Sequence, residues 1–322
     1  MATQAGNRLW GGSLLEREAV VVGDFFLQAA ASLLAVAAQS VAETPAPDRT
    51  APTQDIVVTG DPLDEAERVS TFLERYARTT RIGQLARWHE PVCVRTWGLP
   101  LEQNALISNH VMDVAERIGA RTDRSELCVP NVRIGFTDDP QQAIDQVARR
   151  APLVLGFHYA SQHDRLTRIR FPVQAWYATI TGGTDGDGLL DAVGYETVNG
   201  RAGSRLGRDI ASSFAHVLIL ADSRIAIGRE AAEIGDLLAF LALAQSAPTD
   251  DCDPGGTILN LLNPACEPGQ RNAAFTDRDL AYLEALYYVT PTLGPSQQRG
   301  AIAIRMRRDL TDDQGLSERE SE

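Results

Sequence analysis

The chain has 322 residues, of which 44% are hydrophobic and 23% charged, and a formal net charge of −13. That is the composition of a soluble globular protein, and its acidic balance argues against nucleic acid or an anionic membrane surface as the main partner. All 30 basic residues are Arg; without Lys there is no P-loop lysine, Schiff-base lysine, Ser-x-x-Lys hydrolase pair or kinase lysine.

Residues 25–38 form an apolar run rich in Ala and Leu, too short to span a bilayer comfortably. It ends in Ser40-Val41-Ala42, small residues at the positions a signal peptidase reads, followed by Glu43. Residues 1–42 therefore read as a signal peptide, although Glu16, Glu18 and Asp24 beside Arg8 and Arg17 make a start nearer Val20 tidier. An amphipathic helix of the folded domain is the competing reading, but the run lacks a polar face. Export to the periplasm or the medium is expected. Residues 43–62 are rich in Pro, Thr and Asp and read as a flexible linker.

The next elements follow from periodicity. Asp61-Pro62 has the form of an N-cap with Pro at the first helical position, and Ala66, Val69, Phe72, Leu73 and Tyr76 recur behind it at helical spacing. Residues 92–97 read as a strand. A helix with Ile107, Val111, Val114 and Ile118 on one face is stopped by Gly119. Residues 132–136 form a second strand, and Asp139-Pro140 opens a third helix with Ala143, Ile144, Val147 and Ala148 inward.

Residues 167–181 alternate, with Ile169, Phe171, Val173 and Ala175 on one side, and Pro172 confines this strand to an edge or a bulge. Gly-rich loops are expected at 182–188 and 194–207. The first resembles a single Ca-binding Gly/Asp repeat, but such repeats work in stacks, and a flexible turn is the simpler reading. Residues 217–221 are continuously apolar and read as a buried strand. Residues 230–244 form a helix whose second half is apolar nearly all round, so it belongs inside the protein. Thr276 with Asp279 imitates a capping box before a helix carrying Leu280, Leu283, Leu286 and Tyr287 inward. A last helix runs through Ile302 and Met306, and residues 311–322 read as a disordered tail.

The four cysteines allow three pairings; sequence neighbours favour Cys93 with Cys128 and Cys252 with Cys266, and export favours disulfides over buried free thiols. With no repeat or change of composition, residues 63–310 read as a single α+β domain.

The order of the last third resembles the zincin metallopeptidases, above all their metzincin branch. It runs from buried strand to central helix, through a loop to Thr257-Ile258-Leu259-Asn260, and then into the capped helix Thr276-Asp-Arg-Asp-Leu-Ala-Tyr-Leu-Glu-Ala-Leu-Tyr287. The chain also resembles uncharacterised exported Gram-negative proteins that carry a degenerate form of that domain. The resemblance implies a zincin-like fold: a mixed twisted sheet packed on helices, a central buried helix near 230–244 and a helical C-terminal part. Its specific part covers residues 215–288.

The family binds zinc through His-Glu-x-x-His, in which His residues one turn apart share the metal and Glu polarises a water. This chain has Ala232-Glu233-Ile234-Gly235-Asp236, so Glu233 matches the base while Ala232 and Asp236 replace the two His. Gln245 lies near the third-ligand position, and Leu259 stands where the family carries Met. Ala has no donor atom, so a three-ligand zinc site is not assembled and no cofactor is expected.

Among the five His, His110 reads as a surface or boundary residue, and His158 with His163 has poor ligand spacing. His216 starts the buried strand and, with Glu233 and Asp236, is a candidate for an unorthodox site; the plainer reading makes those acids the solvated end of a buried helix. No Gly-x-Ser-x-Gly elbow is present. The expectation is a non-catalytic exported protein that binds a protein, peptide or envelope component as an added strand at residues 215–220. The alternative is a metal-dependent hydrolase with a carboxylate-rich site.

Overall fold

The computed structural model describes residues 62–157, 159–183, 188–190, 210–246 and 249–320. The expected signal peptide, the linker up to residue 61, His158, the 194–207 loop and most of the 182–188 loop lie outside them. The described residues form one compact unit.

Helix α1 (Pro62–Tyr76) buries Val69, Phe72, Leu73 and Tyr76. Strand β1 (Val94–Trp97) leads into α2 (Leu101–Arg117), whose inner face is Ile107, Val111 and Val114. Gly119 ends this helix for a geometric reason: its φ is 87°, and the Gly119 and Ala120 amides turn back to the carbonyls of Glu116 and Ala115. This is the pairing of a left-handed helix stop, which a side chain at Gly119 would strain. Strand β2 (Val132–Thr137) precedes α3 (Pro140–Arg150), where the Asp139 carboxylate accepts from the Gln142 amide at 2.9 Å.

A single turn, α4 (His163–Leu166), comes before β3 (Val173–Gly182), β4 (Gly188–Leu190) and β5 (Ala211–Asp222). The sheet order is β1-β2-β5-β3-β4; β1, β2 and β5 run parallel, and β3 is antiparallel to both β5 and β4. Its inner face carries Val132, Ile134, Phe136, Val217, Ile219 and Ala221 in the main core with α2 and α5 (Ala231–Leu243). Leu218 and Leu220 turn the other way and meet Ile144, Leu155 and Trp176. Residues 237–243 of α5 are all buried, as the all-round apolar sequence requires. Each Leu fully removed from water there contributes roughly 1.5–3 kcal/mol. The fold is α+β, closed by α6 (Asp277–Tyr288) and α7 (Pro295–Glu320).

Three expectations change. The strand expected from residue 167 begins at Val173. Ahead of it, Gln141 bonds the Ile169 amide and the Thr167 carbonyl, while Gln174 bonds the Arg170 amide and the Arg168 carbonyl. Side chains thus satisfy backbone groups that a ladder would have used. Residues 215–220 are not an edge: β5 pairs with β2 on one side and β3 on the other, which is what a continuous apolar run demands. Residues 311–320, expected to belong to a disordered tail, continue α7, as their helix-forming Glu, Arg, Gln and Leu allow.

Both favoured cysteine pairs are joined: Cys93 with Cys128 and Cys252 with Cys266. Among the described residues no helix is long and apolar enough to cross a membrane.

Candidate functional site: the start of helix α5 and the edge of strand β3

Helix α5 starts behind Glu230, with Glu233 in its first turn, Ala232 exposed, and Gly235-Asp236 one turn further on. Gly235 is needed for packing: a Cβ there would stand 2.6 Å from Cδ2 of His110 on α2. Its absence lets the imidazole lie against α5 and meet Asp236, with Nε2 2.6 Å from Oδ1. The other carboxylate oxygen, Oδ2, accepts from the Phe275 amide at 3.0 Å. Asp236 is only 15% exposed and both its oxygens are engaged, so it ties α2, α5 and the approach to α6 together. With Asp236 ionised, Nε2 of His110 is the donor. His110, expected to be a surface or boundary residue, is this partner; only a helix–helix register could have revealed it.

The candidates do not converge. Glu233 is half-buried, and its side chain makes no hydrogen bond or ion pair among the described residues. His216 alternates with Val217 and shares the sheet face of Leu218 and Leu220, away from α5. Burial first, and then the nearby Arg133 guanidinium, push its pKa down to about 4. No group of three or more His, Cys, Asp or Glu among the described residues could hold a metal ion. His163 opens α4, with Nδ1 3.3 Å from Asp164 and its ring edge-on to Phe157.

A Ser–His contact escaped the sequence reading because its halves lie far apart in the chain. Ser213 Oγ is 2.9 Å from His89 Nδ1, while Arg87 Nε approaches His89 Nε2 at 3.5 Å. Catalysis at serine needs the reverse arrangement, with a carboxylate behind the imidazole. Here the acceptor nitrogen is turned to a cation, so Nδ1 carries the proton and donates to the hydroxyl. Burial and Arg87 also push the His89 pKa down. The pair fastens the extended segment at Arg87 to the start of β5.

Beneath α5 the 257–260 turn is held by a buried carboxylate. Asp279 accepts from the Thr257 hydroxyl (2.6 Å), the Ile258 amide (2.7 Å), and the Thr276 amide and hydroxyl (3.0 and 2.8 Å). Burial raises its pKa while these donors pull it down. Asn260 adds bonds to Asp253 and Gln270. The turn so fixed and the residues that follow it bring Leu259 and Leu262 to a pocket that they line with Leu237 and Leu241 of α5 and residues 171–173.

That pocket adjoins the outer edge of β3. The Val217 amide donates to Asn131 and the Asp222 amide to Pro172, so Leu218, Leu220 and Asp222 present their backbones to β3. Opposite them Gln174 and Trp176 bond inward, which turns the backbone of Val173, Ala175 and Tyr177 outward. Gly156, at φ 61°, lies against the Tyr177 carbonyl, and β4 joins only from Ile180. Among the described residues no backbone hydrogen bond reaches the outward groups of Val173 and Ala175.

Protein-family models, curated proteins and solved structures were all compared with this chain, and none matches. No family follows. The zincin resemblance rests on the order of elements and the residues quoted for it, and the site stands on its own geometry: a small, mostly apolar pocket beside the outer backbone of buried Val173 and half-buried Ala175.

Proposed function

We propose that this chain is an exported, non-catalytic binding protein that takes an extended segment of a protein or peptide partner as an added strand on β3. The observation that carries this reading is the outward N–H and C=O groups of Val173 and Ala175 beside the pocket of Leu237, Leu241 and Leu259. In strand addition the backbone provides the affinity and a neighbouring pocket selects alternate side chains. A zincin-like ancestry is supported by a buried helix that follows a parallel strand and sits above a fixed turn, beside antiparallel β3, whose first part has no outer strand partner among the described residues. The non-catalytic part rests on Ala232, which has no donor atom, and on Asp236, whose oxygens are both engaged. Export is supported by the two disulfides, which persist in oxidising compartments.

Random dodecapeptides displayed on phage and selected against the immobilised full chain test the reading. Apolar extended binders should be obtained, and Ala175→Pro, which deletes an outward N–H, should abolish their binding while thermal unfolding stays cooperative. Undiminished binding to A175P overturns the proposal. Elemental analysis of the protein purified from the periplasm should find no stoichiometric transition metal; one tightly held zinc per chain with peptide cleavage would favour the hydrolase alternative.

A further inference from the structure

On the sheet face turned away from α5, β1 and β2 carry three side chains that the strand-addition reading does not use. In the parallel register Arg95 lies directly beside Arg133. Trp97, 37% exposed, covers Gly135: a Cβ there would stand 2.4 Å from the Trp97 ring and 3.1 Å from Leu220 Cδ2. Leu220 belongs to the cluster opposite the main core, so Arg95, Trp97, Arg133 and Gly135 share that face by strand alternation.

Neither the Arg95 nor the Arg133 side chain makes an ion pair or hydrogen bond among the described residues. Like charges side by side on neighbouring strands are destabilising. Among the described residues they stand without a compensating side-chain partner, in a chain whose formal charge is −13. His216 on β5 lies on the same face, near enough to Arg133 for that guanidinium to lower its pKa. Proximity to Arg95, after burial, also lowers the Arg133 pKa.

We infer that Arg95, Arg133 and Trp97 form a docking surface for a protein partner that presents a carboxylate beside an apolar side chain. Two guanidinium forks on strands about 5 Å apart suit a carboxylate, and an anion between them removes their repulsion. Trp and Arg are the side chains that most often anchor protein interfaces. The surface is a sheet face rather than a cleft, which suits a protein segment better than a small anion. A nucleic acid or an anionic bilayer would meet the repulsive field of the whole acidic chain, whereas one carboxylate within hydrogen-bond reach responds to the local pair.

The same dodecapeptide library provides the probe, with its selected peptides synthesised and measured by fluorescence anisotropy. A class of binders should pair Asp or Glu with an aromatic or aliphatic residue. Arg95→Gln and Arg133→Gln should each weaken that class by about tenfold or more, Trp97→Ala should weaken it too, and Ala175→Pro should leave it unchanged. The last result separates this surface from the β3 edge. Arg95 is exposed, so R95Q decides the matter should R133Q fail to fold. The inference is overturned if no acidic class emerges, if R95Q binds it undiminished, or if a short single-stranded DNA displaces it as readily as unlabelled peptide does.

Discussion

His110 and Asp236 hold α2 against α5 through a 2.6 Å hydrogen bond that exists because residue 235 has no side chain. Asp236 thus acts as a helix–helix fastener. Gly235→Ala should destabilise the protein by about 1–3 kcal/mol, since the new methyl meets an imidazole ring and a packed helix. His110→Ala should cost a similar ~1.5–3 kcal/mol by leaving a largely buried carboxylate short of a donor. Urea unfolding of the single and double variants checks both. The double variant should fall well short of the sum, because the methyl no longer meets the ring; strict additivity would mean that the two positions do not touch.

His216 predicts a dependence on acid. Its folded-state pKa is pushed from 6.5 to about 4 by burial and by Arg133, so below pH 6.5 the unfolded chain binds a proton that the folded chain refuses. Stability from this group is therefore present above pH 6.5 and lost as pH falls toward 4, by up to about 3 kcal/mol in total. His89, also lowered, acts in the same direction. Urea melts at pH 7 and pH 4.5 should show a smaller loss in His216→Gln than in the wild-type protein. An equal loss in both would assign the acid sensitivity elsewhere.

The bridge between Cys252 and Cys266 spans a sequence separation of 14 and clamps the segment that carries the 257–260 turn. Replacing both by Ser should lower stability by about 3 kcal/mol in the chain-entropy model. Because that segment supplies Leu259 and Leu262 to the pocket, peptide affinity at the β3 edge should fall as well. Calorimetry and anisotropy on the same variant test the two effects. A lower melting temperature with unchanged affinity would mean that the hydrogen bonds of Asp279 and Asn260 position the turn without the bridge.

Much of this architecture was legible in residue patterns. The apolar spacing of α1 and α2, Asp139 before Pro140, Thr276 with Asp279, and the all-round apolar 237–243 stretch are local signals, and each has its counterpart in the structure. What was not legible depends on pairing between distant segments. The run at 217–221 says that a strand is buried but not which strands flank it, so it does not reveal that β5 is paired on both sides, with β2 and with β3. His110 with Asp236, Ser213 with His89, and Arg95 with Arg133 are separated by long stretches of chain, and only the register between elements brings them together. The start of β3 was missed because two Gln side chains stand in for ladder partners, which no period-two pattern reveals.

Proline replacements along β3 offer the most direct check on which backbone groups are free. At Ala175 the N–H points away from β5, and Gln174 before it is already extended, so Pro removes no ladder bond. A175P should stay within about 1 kcal/mol of the wild-type stability. At Trp176 the backbone bonds inward to Leu218, and its indole donates to the Leu166 carbonyl at 2.6 Å. W176P therefore loses a ladder bond, an indole hydrogen bond and a buried aromatic ring, and should cost about 4 kcal/mol or more. Trp176→Phe isolates the side-chain share by keeping the backbone N–H. If A175P unfolds the domain as readily as W176P does, the outward assignment of alternate residues is wrong, and the edge of β3 is not open for an added strand.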